Sequence, residues 1–178
     1  SLDAMGGDHG PSVVVGGIRD YIDRHGGQDV RFLLHGDEAA ISAELNRCKL
    51  ASDICIIRHT DKVVAMDEKP AQAMRRGKGS SLWNAIEAVK TGEAGAVVSA
   101  GNTGALMAIS KLILRMAATG LERPAIVASW PTLKGITAVL DVGANIESDA
   151  EKLIEFAIKG EAFHAAVHGV ERPSAGLL

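Results

Sequence analysis

Gly95-Ala96-Val97-Val98-Ser99-Ala100-Gly101-Asn102-Thr103-Gly104-Ala105 is the stretch on which the reading of this chain turns. Its first four residues form a short apolar run, the pattern of a buried strand. Behind the small-residue turn, Leu106 to Ala118 reads as a helix. A glycine-rich turn between a buried strand and a helix leaves backbone N–H groups free at the helix start, where the helix dipole favours an anion. The turn therefore reads as a cradle for a phosphate or an oxyanion. A tight strand-to-helix connection without a ligand would use the same two glycines. The dinucleotide fingerprint G-x-G-x-x-G is not met.

The alternation of strand and helix continues on both sides. Leu2 to Met5 reads as a first strand, Gly6 to Gly10 as a turn and Pro11 as a first helix position. That helix places Val14, Ile18, Tyr21 and Ile22 on one face and stops at Gly26-Gly27. Val30 to Leu34 and Ile54 to Arg58 read as strands, with Asp37 capping a helix that ends near Arg47. Residues 59–80 read as irregular and charged, and a helix follows from Leu82 to Lys90. Ala125 to Ala128 and Ile136 to Leu140 read as strands separated by Pro131 and Gly135. Ser148-Asp149-Ala150-Glu151 matches a capping box that opens a helix carrying Leu153, Ile154, Phe156, Ala157 and Ile158.

This order predicts an α/β chain with a mainly parallel sheet covered on both faces, as a single domain over residues 1–178. Ligands of such sheets gather at the carboxyl ends of strands. Three strand-end turns are then the candidate functional segments: Asp3 to Gly10, Ser99 to Gly104 and Asp141 to Asn145.

Composition bounds the function. The chain has 178 residues, enough for a real core, and 3% aromatics, so that core rests on aliphatic side chains. A net charge of −3 argues against wholesale nucleic-acid binding. The longest apolar stretch, Ala105 to Ala118, is interrupted by Lys111 and Arg115 and is too short to span a bilayer. Cys48 and Cys55 form no C-x-x-C pair, and Cys55 in an apolar run reads as a buried structural thiol.

In Asp3-Ala4-Met5-Gly6-Gly7-Asp8, Gly6 and Gly7 allow a substrate close to the backbone, with Asp8 or His9 orienting it or handling a proton. An Asp there would also cap the next helix. In Asp141-Val142-Gly143-Ala144-Asn145, the Asn145 amide is a candidate oxyanion donor, the alternative being a plain turn. Lys69, Arg75, Arg76 and Lys78 form a basic cluster that is either a solvated face or a site for phosphate or an acidic partner. Gly77-Lys78-Gly79-Ser80 fails as a P-loop because Gln72 stands where the first Gly is required. His164 and His168 have zinc spacing, but no Glu follows His164 and no third ligand is evident, so no metal site is assigned. No G-x-S-x-G elbow is present.

Together, in this order, Asp3-Ala4-Met5-Gly6-Gly7-Asp8-His9-Gly10-Pro11, Ser99 to Ala105 and Leu140 to Asn145 resemble the PlsX family of phosphate acyltransferases. Met66-Asp67-Glu68-Lys69-Pro70 and Arg75 to Ser81 are similar to the family's middle region. The resemblance implies a three-layer α/β/α sandwich like that of isocitrate and isopropylmalate dehydrogenases and phosphotransacetylases. It implies transfer of a fatty acyl group from acyl carrier protein to inorganic phosphate, giving an acyl phosphate for bacterial phospholipid synthesis. It also implies no cofactor, a cytoplasmic homodimer and peripheral association with the membrane. Family members are longer, so the chain is expected to be the N-terminal half of a longer protein.

On this reading Asn102, Asn145 and Asp8 are the expected catalytic residues. Gly6, Gly7, Ser99, Gly101, Thr103, Gly104, Asp141 and Gly143 are expected to bind substrate. Lys69, Arg75, Arg76 and Lys78 are expected to dock the carrier protein. A phosphotransacetylase-like enzyme using acyl-CoA and a non-catalytic anion-binding domain remain the alternatives.

Overall fold

The computed structural model describes residues 1–50, 53–118, 120–145 and 147–178. Strands β1 (Leu2–Asp3), β2 (Phe32–Gly36), β3 (Cys55–His59) and β4 (Val98–Ser99) form a sheet in the order β3-β2-β1-β4, with every pairing parallel. The chain steps outward from β1 to β2 to β3, then returns to lay β4 on the other side of β1. Such a reversal is a topological switch point, and ligands of open parallel sheets bind in the crevice beyond the strand ends there. The switch point lies between the two strands that lead into the first two candidate turns.

The connecting helices are α1 (Pro11–His25), α2 (Glu38–Arg47), α3 (Pro70–Arg76), α4 (Ser81–Lys90) and α5 (Thr103–Leu114). Successive strand residues point to opposite faces, and β2 shows both faces in use. Leu34 packs with Val15, Ile18, Ile41 and Leu45, the core beneath α1 and α2. His35 points the other way, toward Asn84, Glu87 and Ala88 of α4. A second core of Val64, Ala73, Leu82, Ile86, Ala105 and Ile109 ties α3, α4 and α5 together.

Local signals explain most helix starts. Pro11 occupies the first turn of α1. The side chains of Asp37, Ser80 and Asn102 accept the N–H groups of Ala40, Trp83 and Ala105 at the starts of α2, α4 and α5. Two expectations change here. The stripe α1 buries runs through Val15, Ile18 and Ile22, while Tyr21 is 41% exposed. Residues 59–80 also contain a helix, α3, which the charge run concealed because Ala73 is its only buried residue.

Contacts divide the chain into two units, Ser1–Arg115 and Met116–Leu178. The second holds β5 (Val127–Thr132), β6 (Gly135–Leu140) and α6 (Ala150–His168). β5 and β6 pair antiparallel, from Val127 opposite Leu140 to Thr132 opposite Gly135. Pro131 therefore lies inside β5 rather than between the strands, a position an edge strand tolerates. Asp149, not Ser148, caps α6, accepting the Lys152 N–H at 2.9 Å.

Candidate active site at the switch point

β1 and β4 run in register, Leu2 beside Val98 and Asp3 beside Ser99, so the turns that follow them meet. Asp3 is buried at 2% exposure. Its Oδ2 accepts the Ser99 hydroxyl at 2.7 Å, and the Ser99 Oγ accepts the Gly101 N–H at 3.0 Å. Its Oδ1 accepts the Met5 N–H at 3.3 Å.

Gly6 and Gly7 close the contact. A Cβ on Gly6 would stand 2.5 Å from Asp3 Oδ2 and 2.9 Å from the Gly101 nitrogen. Gly7 has φ +83° and would press a Cβ to 3.0 Å from the Ala100 carbonyl oxygen. These glycines are required for the two turns to touch, which is a packing role.

Asn102 is 9% exposed and fully engaged. Its Oδ1 caps α5 through the Ala105 N–H at 2.9 Å. Its Nδ2 donates to the carbonyls of Ala65, Met66 and Glu68 at 3.1, 3.0 and 2.8 Å. Gly104 belongs to the same clasp, since a Cβ there would stand 2.8 Å from Pro70 Cγ. Asn102 and Gly104 thus fasten the segment from Ala65 to Pro70 onto the start of α5.

The donors left at the cradle follow by elimination. Ser99's proton is committed to Asp3, Gly101's N–H to Ser99 and Asn102's amide to the loop carbonyls. The backbone N–H groups of Thr103 and Gly104 lie in the first turn of α5, where the helix supplies no acceptor. Thr103 is exposed and adds a hydroxyl. Across from them, the backbone N–H groups of Gly6, Gly7 and Asp8 have no acceptor among the described residues. An anion at the start of a helix among such donors is held by charge-assisted hydrogen bonds and by the helix dipole.

In the second unit the Asp141 turn is built as tightly. Asp141 Oδ1 accepts the N–H of Ile126 at 2.8 Å and of Ala144 at 3.3 Å. Its Oδ2 accepts the backbone N–H of Asn145 at 2.7 Å and the Asn145 amide at 2.8 Å. Burial pushes this carboxyl up, but donors from Ile126, Asn145 and Ala144 outweigh it and leave its pKa below the ordinary value. Asn145 also donates to the Pro124 carbonyl at 3.3 Å, so its amide braces the turn. Gly143 takes φ +115°, a conformation suited to glycine.

A family model described as "Fatty acid synthesis protein" matches residues 1–178. The chain belongs to that family. It is 69% identical over 178 residues to a phosphate acyltransferase of Caulobacter vibrioides, covering 100% of this chain and 49% of that protein. It is 63% identical over 179 residues to one from Phenylobacterium zucineum and 57% identical over 178 residues to one from Maricaulis maris, covering 50% of each. The chain spans about half the length of the curated relatives it matches. The PlsX resemblance carried by the three motifs is borne out.

In this family member the first two motifs converge, and the structure adds Asp3, which sequence reading left without a role. The available signal was positional: Asp3 and Ser99 each end a strand that enters a glycine turn. Asp8 is exposed at the rim. Lys69, Arg75, Arg76 and Lys78 are all exposed on α3 and its flanks. Among the described residues no group of three or more His, Cys, Asp or Glu is placed to hold a metal ion, and no helix is long and apolar enough to cross a membrane.

Proposed function

We propose that the full-length protein transfers a fatty acyl group from acyl carrier protein to inorganic phosphate. The observation that carries the reading is the convergence of two glycine turns at the β1–β4 switch point, with free N–H groups at the start of α5. The relatives named phosphate acyltransferase support it. Phosphate near neutral pH is already a nucleophile and a thioester already has a good leaving group, so no serine or cysteine nucleophile is needed. An oxygen of hydrogen phosphate forms the new C–O bond, the C–S bond breaks, and the departing thiolate takes the proton that the phosphate gives up. Positioning supplies up to about 7–11 kcal/mol of such a barrier, and one oxyanion donor about 3–4 kcal/mol.

In this reading the N–H groups of Thr103 and Gly104 hold phosphate or the tetrahedral oxyanion. Asn102 and Ser99 keep that turn in place, and Gly6, Gly7 and Gly101 give the reacting groups close access to the backbone. Asp8 handles a proton at the rim. In the second unit, Asn145 with Asp141 and Gly143 forms a further substrate-contacting turn. Lys69, Arg75, Arg76 and Lys78 dock the acidic carrier protein.

The same reading gives the full-length protein a dehydrogenase-like α/β/α sandwich fold. It also makes the full-length protein a cytoplasmic homodimer that associates peripherally with the membrane.

The test is acyl-phosphate formation by the full-length enzyme, trapped as the hydroxamate, from long-chain acyl carrier protein and from acyl-CoA. Product from the carrier substrate is expected. Product from acyl-CoA alone would overturn the donor assignment, and phosphate binding without product would overturn the catalytic one. Charge reversal at Arg75 and Arg76 is expected to raise KM for the carrier protein and flatten its salt dependence.

A further inference from the structure

Four polar side chains stand in one rung across the sheet. Register places Arg58 of β3 beside His35 of β2, His35 beside Asp3 of β1, and Asp3 beside Ser99 of β4. Register partners in parallel strands point to the same face, so the rung lies under the switch point. Such groups are costly to bury unless partnered. His35 is 4% exposed, and neither ring nitrogen has a partner among the described residues. Arg58 is half-exposed and paired with Glu93, while Asp3 and Ser99 are partnered with each other at the end of the rung that leads into the site.

The direction of that chain of bonds is set by chemistry. An ionised carboxylate only accepts, and a serine hydroxyl has one proton. Asp3 therefore accepts the hydrogen bond that the Ser99 hydroxyl donates, and Ser99 turns a lone pair to the Gly101 N–H. Gly6 rests against the same carboxylate oxygen. One buried charge thus fixes both turns, from beneath and without reaching the cradle.

We infer that Asp3 is a positioning residue of the site: acting through the Ser99 hydroxyl, it sets the conformation of residues 99–102 and so the direction of the Thr103 and Gly104 N–H groups. The inference rests on the acyl-transfer reading for its kinetic consequence only. The relay itself is a property of the fold.

The experiment uses the full-length enzyme with Asp3→Asn, Ser99→Ala, Ser99→Thr and the Asp3→Asn/Ser99→Ala double variant. Displacing the cradle by an ångström is expected to lower kcat/KM for phosphate about 10²-fold in Ser99→Ala. KM for the acyl donor is expected to stay within about twofold, because only the phosphate side moves. Ser99→Thr keeps the hydroxyl and is expected to recover most of the loss. The double variant is expected to match Ser99→Ala within about threefold, since two residues in one relay do not add. Multiplicative losses, an unchanged phosphate kcat/KM in Ser99→Ala, or no recovery in Ser99→Thr would overturn the inference.

Hydrogen exchange at the Gly101 amide separates the two claims. Faster exchange in Ser99→Ala supports the relay even if the wild-type enzyme forms no acyl phosphate, in which case only the acyl-transfer reading falls. Unchanged exchange sinks the relay whatever the reaction is. The Ser99 variants carry the test if Asp3→Asn fails to fold.

Discussion

Asn102→Ala is the substitution whose cost is most directly legible in the structure. The side chain caps α5 and donates into three carbonyls of the segment from Ala65 to Glu68. Loss of an N-cap costs about 1 kcal/mol. The amide has two N–H bonds, and each hydrogen bond contributes about 1 kcal/mol net. The sum is about 3 kcal/mol, because the loop carbonyls left behind are near enough to the surface to find water.

Asn102→Asp isolates the two roles. It keeps the cap oxygen but replaces the donor nitrogen by a negative oxygen, held at 2.8–3.1 Å from three carbonyl oxygens. That carboxyl is expected to titrate above its ordinary value, since only the protonated form can donate to a carbonyl. Urea unfolding of the full-length protein measures both. Asn102→Ala should lose about 3 kcal/mol at every pH between 5 and 8. Asn102→Asp should lose at least about 2 kcal/mol at neutral pH and recover part of it in acid, as its folded form takes up a proton. Asn102→Ala within about 0.5 kcal/mol of wild type would refute the clasp, as would an Asp variant with no pH dependence beyond that of wild type.

Two further outcomes follow from the same geometry. Gly6→Ala should separate the two turns, because its Cβ meets the Gly101 backbone nitrogen at 2.9 Å; proteolysis of the 99–104 segment should quicken, and phosphate binding measured by calorimetry should weaken. His35 titrates at about 4 in the fold, chiefly because burial disfavours its charged form, against 6.5 ordinarily. Between those values the unfolded chain holds the extra proton, so stability should climb as pH rises from about 4 to about 6.5 and level off above. The full shift corresponds to about 3 kcal/mol as an upper bound. A His35→Leu variant with the same slope in urea titrations as wild type would assign the pH dependence to other groups.

Most strands and helices around the candidate site were legible because their signals are local. Pro11, Asp37, Ser80 and Asn102 act on N–H groups within one helical turn, and the run Phe32-Leu33-Leu34 marks a strand covered on both faces. The run from Gly95 to Val98, however, is not a buried strand, since only Val98 and Ser99 pair and Val98 is 62% exposed. The helix behind it ends at Leu114 rather than Ala118. α3 was hidden because a helix with one buried residue has no stripe to read. The hairpin of β5 and β6 was hidden because Pro131 marks a break in a sequence and a tolerated edge position in a sheet. In the site, the glycine turns were visible as motifs, but the hydrogen-bond partners of their polar residues were not. Asn102 reads as a donor to substrate until the loop of residues 65–68 is seen on its amide. Asn145 reads the same way until Asp141 and Pro124 are seen on its own.

Sequence alone determined that strand ends here lead into glycine turns and that the chain carries the motifs of its family, because spacing and turn chemistry act over a few residues. Only the tertiary structure decided that two of those turns, more than ninety residues apart, share one buried carboxylate. Which strand lies beside which is set by chain crossover and by packing on both faces of the sheet. The partner of Asp3 therefore exists only once β4 has come to rest against β1.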